Sequence, residues 1–236
     1  MLISLHIPKS AGTSFKFLLE SYYKNSFLED YDDLPLNKPF ELALEEAERF
    51  SENLNSFKRL KYFIKGIKCI HGHFLIRKYI RFLGYNNVAF ITWVREPLER
   101  MQSHYDYWYR TYNPKTTKAF LHKKVVEEKW SFETFCFSEE MKNIYSKFFH
   151  DFSLDDFDFI GVTEFFNEDA TYFMKKLQPN KSIDIPFNNV SPDKKTKKMY
   201  DENFVLKFKD FHSADYVIYD YALKQRQLRL SQNDIT

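Results

Sequence analysis

Three short stretches carry side chains whose type and spacing could do chemistry. The first is Lys9-Ser10-Ala11-Gly12-Thr13-Ser14, which sets an ammonium and three hydroxyls among small residues. If a helix starts here, its free N–H groups and the positive end of its dipole face back into the turn. An anion above the turn is then held by backbone, hydroxyl and ammonium together. The second stretch pairs Arg95 with Ser103, eight positions on. A guanidinium at a strand end and a hydroxyl two turns into the next helix can bond one phosphate. Between them lies His71-Gly72-His73. Imidazole has an unperturbed pKa of about 6.5, so it is the natural general base near neutrality. Seven histidines compete for that role. His6 and His104 adjoin the two anion motifs and suit orienting a substrate, and Glu96 is a less attractive base.

These side chains need strands and helices to bring them together. Leu2 to Ile7 is a short apolar run suited to a buried parallel strand, closed by Pro8. Thr13 and Ser14 read as cap hydroxyls before Phe15, Leu18, Leu19 and Tyr22, which share one helical face. Leu28 to Pro39 reads as an acidic connector, and residues 40–57 as one amphipathic helix. A strand over 67–70 leads into the histidine pair, and a helix over 74–83 ends at Gly84. Val88 to Val94 is the strongest strand signal, and Pro97 suits the first position of the helix after Arg95. Residues 113–131 read as a mobile or helical insertion, 157–163 as a strand, and Asn167 as a helix cap. Ser191-Pro192 suits another helix start before Lys194, Lys195, Lys197 and Lys198, and a last helix begins near Ser213. Strands separated by helices predict a single α/β domain over 1–236, with a central, mainly parallel sheet between helical layers. In such a sheet ligands sit beyond the carboxyl ends of the strands, where the Lys9 turn and Arg95 both fall.

Composition narrows the functional classes. A formal charge of +2 over 236 residues argues against non-specific nucleic-acid binding, while leaving room for a local basic groove. Two cysteines, Cys69 and Cys136, lack metal-ligand spacing. No apolar run is long enough for a membrane span, and nothing resembles a signal peptide. The expectation is therefore a soluble, cytoplasmic protein, with the Asn189-Val190-Ser191 sequon an accidental match. A triphosphate loop places its lysine after the glycines, in G-x-x-x-x-G-K-[ST]. Here lysine comes first and only Gly12 is present, so an ATP or GTP loop fits poorly.

The wording His6-Ile-Pro-Lys-Ser-Ala-Gly-Thr-Ser-Phe15 resembles the 5′-phosphosulfate loop of sulfotransferases that use 3′-phosphoadenosine 5′-phosphosulfate (PAPS). The heparan-sulfate 2-O- and 6-O-sulfotransferase branch is the most similar. Arg95 and Ser103 resemble the 3′-phosphate motif of the same family, and His71-Gly72-His73 its histidine-bearing motif. Residues 157–164 and 215–221 look like its later strand and last helix, and the segment from Asn189 through the following lysines resembles the one that closes over the nucleotide. The resemblance implies a P-loop-like three-layer fold and sulfuryl transfer from PAPS to a hydroxyl, expected on a carbohydrate. It assigns Lys9 to the leaving phosphate, and Ser10, Ala11, Gly12, Thr13 and Ser14 to the 5′-phosphate. Arg95 and Ser103 go to the 3′-phosphate, and His73, with His71 second, is the base. No metal is required, because lysine and the helix start can meet the leaving group's charge. The animal members are membrane-anchored, so this chain reads as a microbial, cytoplasmic version. A kinase, or a protein that binds nucleotide or anionic glycan without turnover, are the competing readings.

Overall fold

The computed structural model describes residues 1–54, 56–179 and 199–233. In chain order the strands are β1 (Leu2–Leu5), β2 (Phe27–Asp30), β3 (Cys69–Gly72), β4 (Ala89–Val94) and β5 (Phe159–Val162). The helices are α1 (Gly12–Tyr23), α2 (Phe40–Asn53), α3 (Ser56–Ile64), α4 (Pro97–Thr111), α5 (Phe120–Glu127), α6 (Phe132–Cys136), α7 (Ile144–Phe148), α8 (Phe166–Leu177), α9 (Glu202–Phe211) and α10 (Ser213–Asn233). The strands form one sheet in the order β2-β3-β1-β4-β5, and every pairing among the described residues is parallel. This is the expected α/β architecture.

Strand alternation sorts the core into two layers. Ile3, Leu5, Ile70, Phe90, Val94, Ile160 and Val162 face a large cluster built with α2, α4 to α7, α9 and α10. Leu2, Cys69, Ile91, Trp93 and Phe159 face a smaller cluster with Phe15, Leu18 and Leu19 of α1 and Phe173 and Met174 of α8. Burying each large apolar side chain contributes about 1.5–3 kcal/mol. The sheet is thus pinned from both sides, and its carboxyl-end turns inherit that rigidity.

Several local expectations are corrected. Helix α1 starts at Gly12 with Ala11 at its cap position and no side-chain cap, so Thr13 and Ser14 lie inside the first turn. Asn167 likewise sits inside α8, whose cap position is Phe165. The acidic connector contains β2, an edge strand whose Asp30 is tied to Lys78 and Tyr79. The single helix over 40–57 is two, because α2 ends at Asn53 and α3 begins at Ser56. Residues 76–82 form a 3₁₀ segment rather than an α-helix. Of the two readings of residues 113–131 the helical one holds, since they contain α5, whose Leu121 and Val125 join the large core cluster. Ser191-Pro192, the Asn189 loop and the lysines at 194–198 lie outside the described residues.

Candidate active site

The chain leaves β1 toward β2 and β3 on one side of the sheet, and leaves β4 toward β5 on the other. Such a reversal opens a crevice beyond the carboxyl ends of the two adjacent strands. Strands β1 and β4 pair in register from Leu2 opposite Ala89 to Leu5 opposite Thr92. The Lys9 turn and Arg95 therefore emerge side by side.

The turn after β1 is held by its backbone. Lys9 and Ala11 have φ of 71° and 56°, in the left-handed region that L-residues rarely occupy. Conformations of this kind concentrate at ligand clamps, and they gather successive N–H groups on one side of a turn. Ser10 is fully buried, and its N–H donates to the Ile7 carbonyl at 3.2 Å. Gly12 is sterically required, because a Cβ there would lie 1.7 Å from the His6 ring. The imidazole thus rests directly on the start of α1. Thr13 is exposed and Ser14 half-buried.

The turn after β4 is held by side chains from elsewhere. Arg95 N–H donates to the Tyr145 hydroxyl at 2.9 Å, and that hydroxyl donates to the Arg95 carbonyl at 2.6 Å. Glu96 N–H donates to Glu164 at 2.8 Å. The Glu96 carboxylate caps α4 by accepting the Glu99 N–H at 2.7 Å, and its other oxygen accepts the Tyr216 hydroxyl at 2.6 Å. With both oxygens engaged, Glu96 is a cap rather than a free base. Glu99 and Ser103 lie one turn apart on α4, and the guanidinium of Arg95, just before the helix, lies 3.6 Å from the Glu99 carboxylate.

Cations converge across the crevice. The Lys9 ammonium sits 4.3 Å from the centroid of the Tyr107 ring, and the Arg110 guanidinium is 5.9 Å from the same centroid. The Lys9 pKa is lowered, first by burial and then by the Arg110 and Arg95 charges. Like charges gathered on a partly desolvated floor, beside a helix start, favour an anion. Tyr107 and Arg110 escaped the sequence reading. Their placement at i+4 and i+7 from Ser103 on one helix is the signal that could have found them.

The histidine motif lies on the other side of β1. Gly72 must be glycine, since a Cβ would lie 1.6 Å from the Asp30 carbonyl oxygen on the neighbouring strand. His6 stacks on His71 with ring centroids 5.3 Å apart and packs against His73 at 4.3 Å. Tyr31 closes the group, bonding His6 Nδ1 at 3.0 Å and standing 4.8 Å from the His73 ring. His71 Nδ1 bonds the Ser4 hydroxyl at 2.8 Å. Burial pushes His73 down to about 4. Burial and the neighbouring His73 and Lys16 bring His71 to about 3. His6 is also held well below the usual histidine range, by burial and then by His73, His71, Lys9 and Lys16. All three are neutral at neutral pH. His73 Nε2 is buried without a hydrogen-bond partner among the described residues. The structure thus brings the Lys9 turn, Arg95 and the histidine pair to one end of the sheet.

His104, near the second motif, is buried between Trp108 and Phe135, with ring centroids 4.5 and 6.0 Å away. Burial and the Arg100 charge lower its pKa well below the ordinary value. Among the described residues no group of three or more His, Cys, Asp and Glu side chains is arranged to hold a metal ion. Nor is any described helix long and apolar enough to cross a membrane.

No protein-family model matches the sequence, and no curated protein does. Among solved structures, a sulfotransferase from Alicyclobacillus acidocaldarius is similar over 92% of each chain, at 11% identity and a TM-score of 0.45. A likeness at that level says nothing by itself about the chemistry of this chain.

Proposed function

We propose that this chain is a PAPS-dependent sulfotransferase that moves a sulfuryl group to a hydroxyl. The supporting observation is the placement of two anion-binding turns at the ends of adjacent strands β1 and β4, with Lys9, Arg95 and Arg110 gathered between them. One crevice thereby offers separate grips for two anionic ends of one ligand. The residues fit such a donor: the Gly12 cradle leaves backbone N–H groups at a helix start, and Lys9 keeps an ammonium beside it.

PAPS, when bound, supplies the activated sulfuryl group. The amides from Ala11 to Ser14, with the Thr13 and Ser14 hydroxyls, hold the 5′-phosphate, while Ser10, its N–H given to the Ile7 carbonyl, shapes the turn beneath it. Lys9 neutralises charge on the leaving phosphate, and Arg95 with Ser103 holds the 3′-phosphate. Transfer breaks the sulfur–oxygen bond to the nucleotide and forms one to the acceptor oxygen. The acceptor's proton passes to His73, with His71 the alternative base. Neutral histidine is the form able to take it. Proton transfer at His73 Nε2 requires the His6 and Tyr31 rings packed beside it to shift. A carbohydrate acceptor rests on the resemblance to the heparan-sulfate branch.

Calorimetric titration with adenosine 3′,5′-bisphosphate, 5′-AMP and ATP tests this reading. Tight, metal-independent binding that needs the 3′-phosphate, and is lost in Arg95→Ala, is expected. Magnesium-dependent ATP binding without that preference would replace it with a kinase.

A further inference from the structure

The turn that carries Arg95 is fixed more completely than a strand-to-helix connection requires. Val94 carbonyl accepts the Thr163 hydroxyl at 2.9 Å, and Glu96 is held by Glu164 and Tyr216. Only Tyr145, among these side chains, grips Arg95 itself, and it takes both the N–H and the carbonyl with one hydroxyl. Holding both groups fixes the two peptide planes flanking the Arg95 Cα. The direction in which its side chain leaves the backbone is fixed with them.

The anchor is itself immobile. Tyr145 is fully buried on α7, its ring stacked on Phe149 at 6.4 Å with the Arg100 guanidinium 5.5 Å from its centroid. Ser146, the next residue, donates its N–H to Asp215 of α10 at 3.2 Å. The clamp thus joins β4 to the layer formed by α7 and α10. In the active-site crevice, Arg95 has a competing neighbour in Glu99 at 3.6 Å, so its aim decides what it binds.

We propose that Tyr145 is a positioning residue for the donor site, holding the Arg95 backbone so that the guanidinium meets the 3′-phosphate. This role rests on the PAPS reading. A ligand grip aimed from a fixed backbone loses little conformational freedom on binding, which is where the affinity advantage arises.

Tyr145→Phe removes the hydroxyl and keeps the ring. We expect the ratio of affinities for adenosine 3′,5′-bisphosphate over 5′-AMP to fall by about tenfold, the equivalent of one charge-assisted hydrogen bond. Affinity for 5′-AMP changes much less, because Ser10 of the Lys9 turn, which the same hydroxyl also neighbours, keeps its backbone bond to Ile7. In an Arg95→Ala background the same change has no further effect on the ratio. Thr163→Val, which removes a bond from the same turn without touching Arg95, leaves the ratio unchanged. Titrations run in the cold keep a low-melting variant folded. An unchanged ratio in Tyr145→Phe, or an equal loss for both nucleotides, overturns the role. If the wild-type protein ignores the 3′-phosphate, the PAPS reading itself falls, and Tyr145 loses its function with it.

Discussion

The two turns that face the crevice are built in opposite ways. The one after β1 is held from within, by left-handed Lys9 and Ala11 and by a glycine on which His6 rests. The one after β4 is held from outside, by Tyr145, Glu164 and Tyr216 reaching in from distant parts of the chain. A backbone-held turn presents amides, and its tolerance to change is steric. A side-chain-held turn presents a guanidinium, and its tolerance to change is a matter of hydrogen bonds. One site thus uses both means of preorganisation, each matched to the group it offers.

The difference can be broken most sharply at Gly12. Its missing Cβ leaves room for the His6 ring, which is wedged between His71 and His73 and has nowhere to swing. We expect Gly12→Ala to cost about 1–3 kcal/mol of stability and to abolish nucleotide binding. Adding His6→Ala should restore much of the stability, as read by thermal melting. A single variant that melts like wild type would refute the steric account.

On the β1 side, His73→Ala should lower turnover by roughly 10²–10⁴ while leaving nucleotide affinity unchanged. Equal turnover would remove His73 from the mechanism. That separation of kcat from binding would distinguish the histidine group from the Arg95 turn, whose loss is expected to act on affinity.

The two sides also respond to acid with opposite signs. His71 and His73 are held at about 3 and about 4 in the folded protein, against about 6.5 in the unfolded chain. Between those limits the unfolded chain binds more protons, so stability falls as pH drops below about 6.5. Asp215, behind the β4 turn, is raised by burial to about 6, so it gains stability as pH falls through that value. Burial raises Asp33, Glu164 and Asp169 as well, but the lowered histidines His6, His71, His73, His104 and His212 outnumber these carboxyls. The urea midpoint should therefore fall between about pH 7 and about pH 5, the unfolding free energy dropping by on the order of a few kcal/mol. A midpoint that rises would show that the carboxyls dominate.

The smallest expected effect is at Arg110, exposed and 5.9 Å from the Tyr107 ring centroid. Arg110→Ala should weaken nucleotide binding only a few-fold, with the loss shrinking as salt is raised. A salt-independent loss would place Arg110 in direct contact with the ligand rather than in its field.

Local chemistry made the frame legible. The unbroken apolar run of β4, Pro97 at the start of α4 and the small residues after β1 each impose a conformation on their own segment. Edge strand β2 was hidden because Glu29 and Asp30 look like connector residues, and Asp30 is tolerated only through Lys78 and Tyr79, far along the chain. The break between α2 and α3 carries neither glycine nor proline to announce it. Helix α9 went unread, although Asp201 caps it by accepting the Phe204 N–H at 3.1 Å. The cap hydroxyls expected at Thr13 and Ser14 gave way to a left-handed Ala11, a conformation that alanine does not advertise.

The sequence by itself determined that this protein would have a parallel α/β sheet and that Lys9, Arg95, Ser103 and the histidine pair were the residues to examine. Those features follow from residue type and short-range spacing. Only the tertiary structure decided that His6 joins the histidine pair, that Tyr107 and Arg110 flank Lys9, and that Tyr145 clamps Arg95. The last of these contacts spans 50 positions in the chain. No local propensity encodes a contact of that reach; it arises because packing on both faces of the sheet brings the carboxyl ends of its strands together.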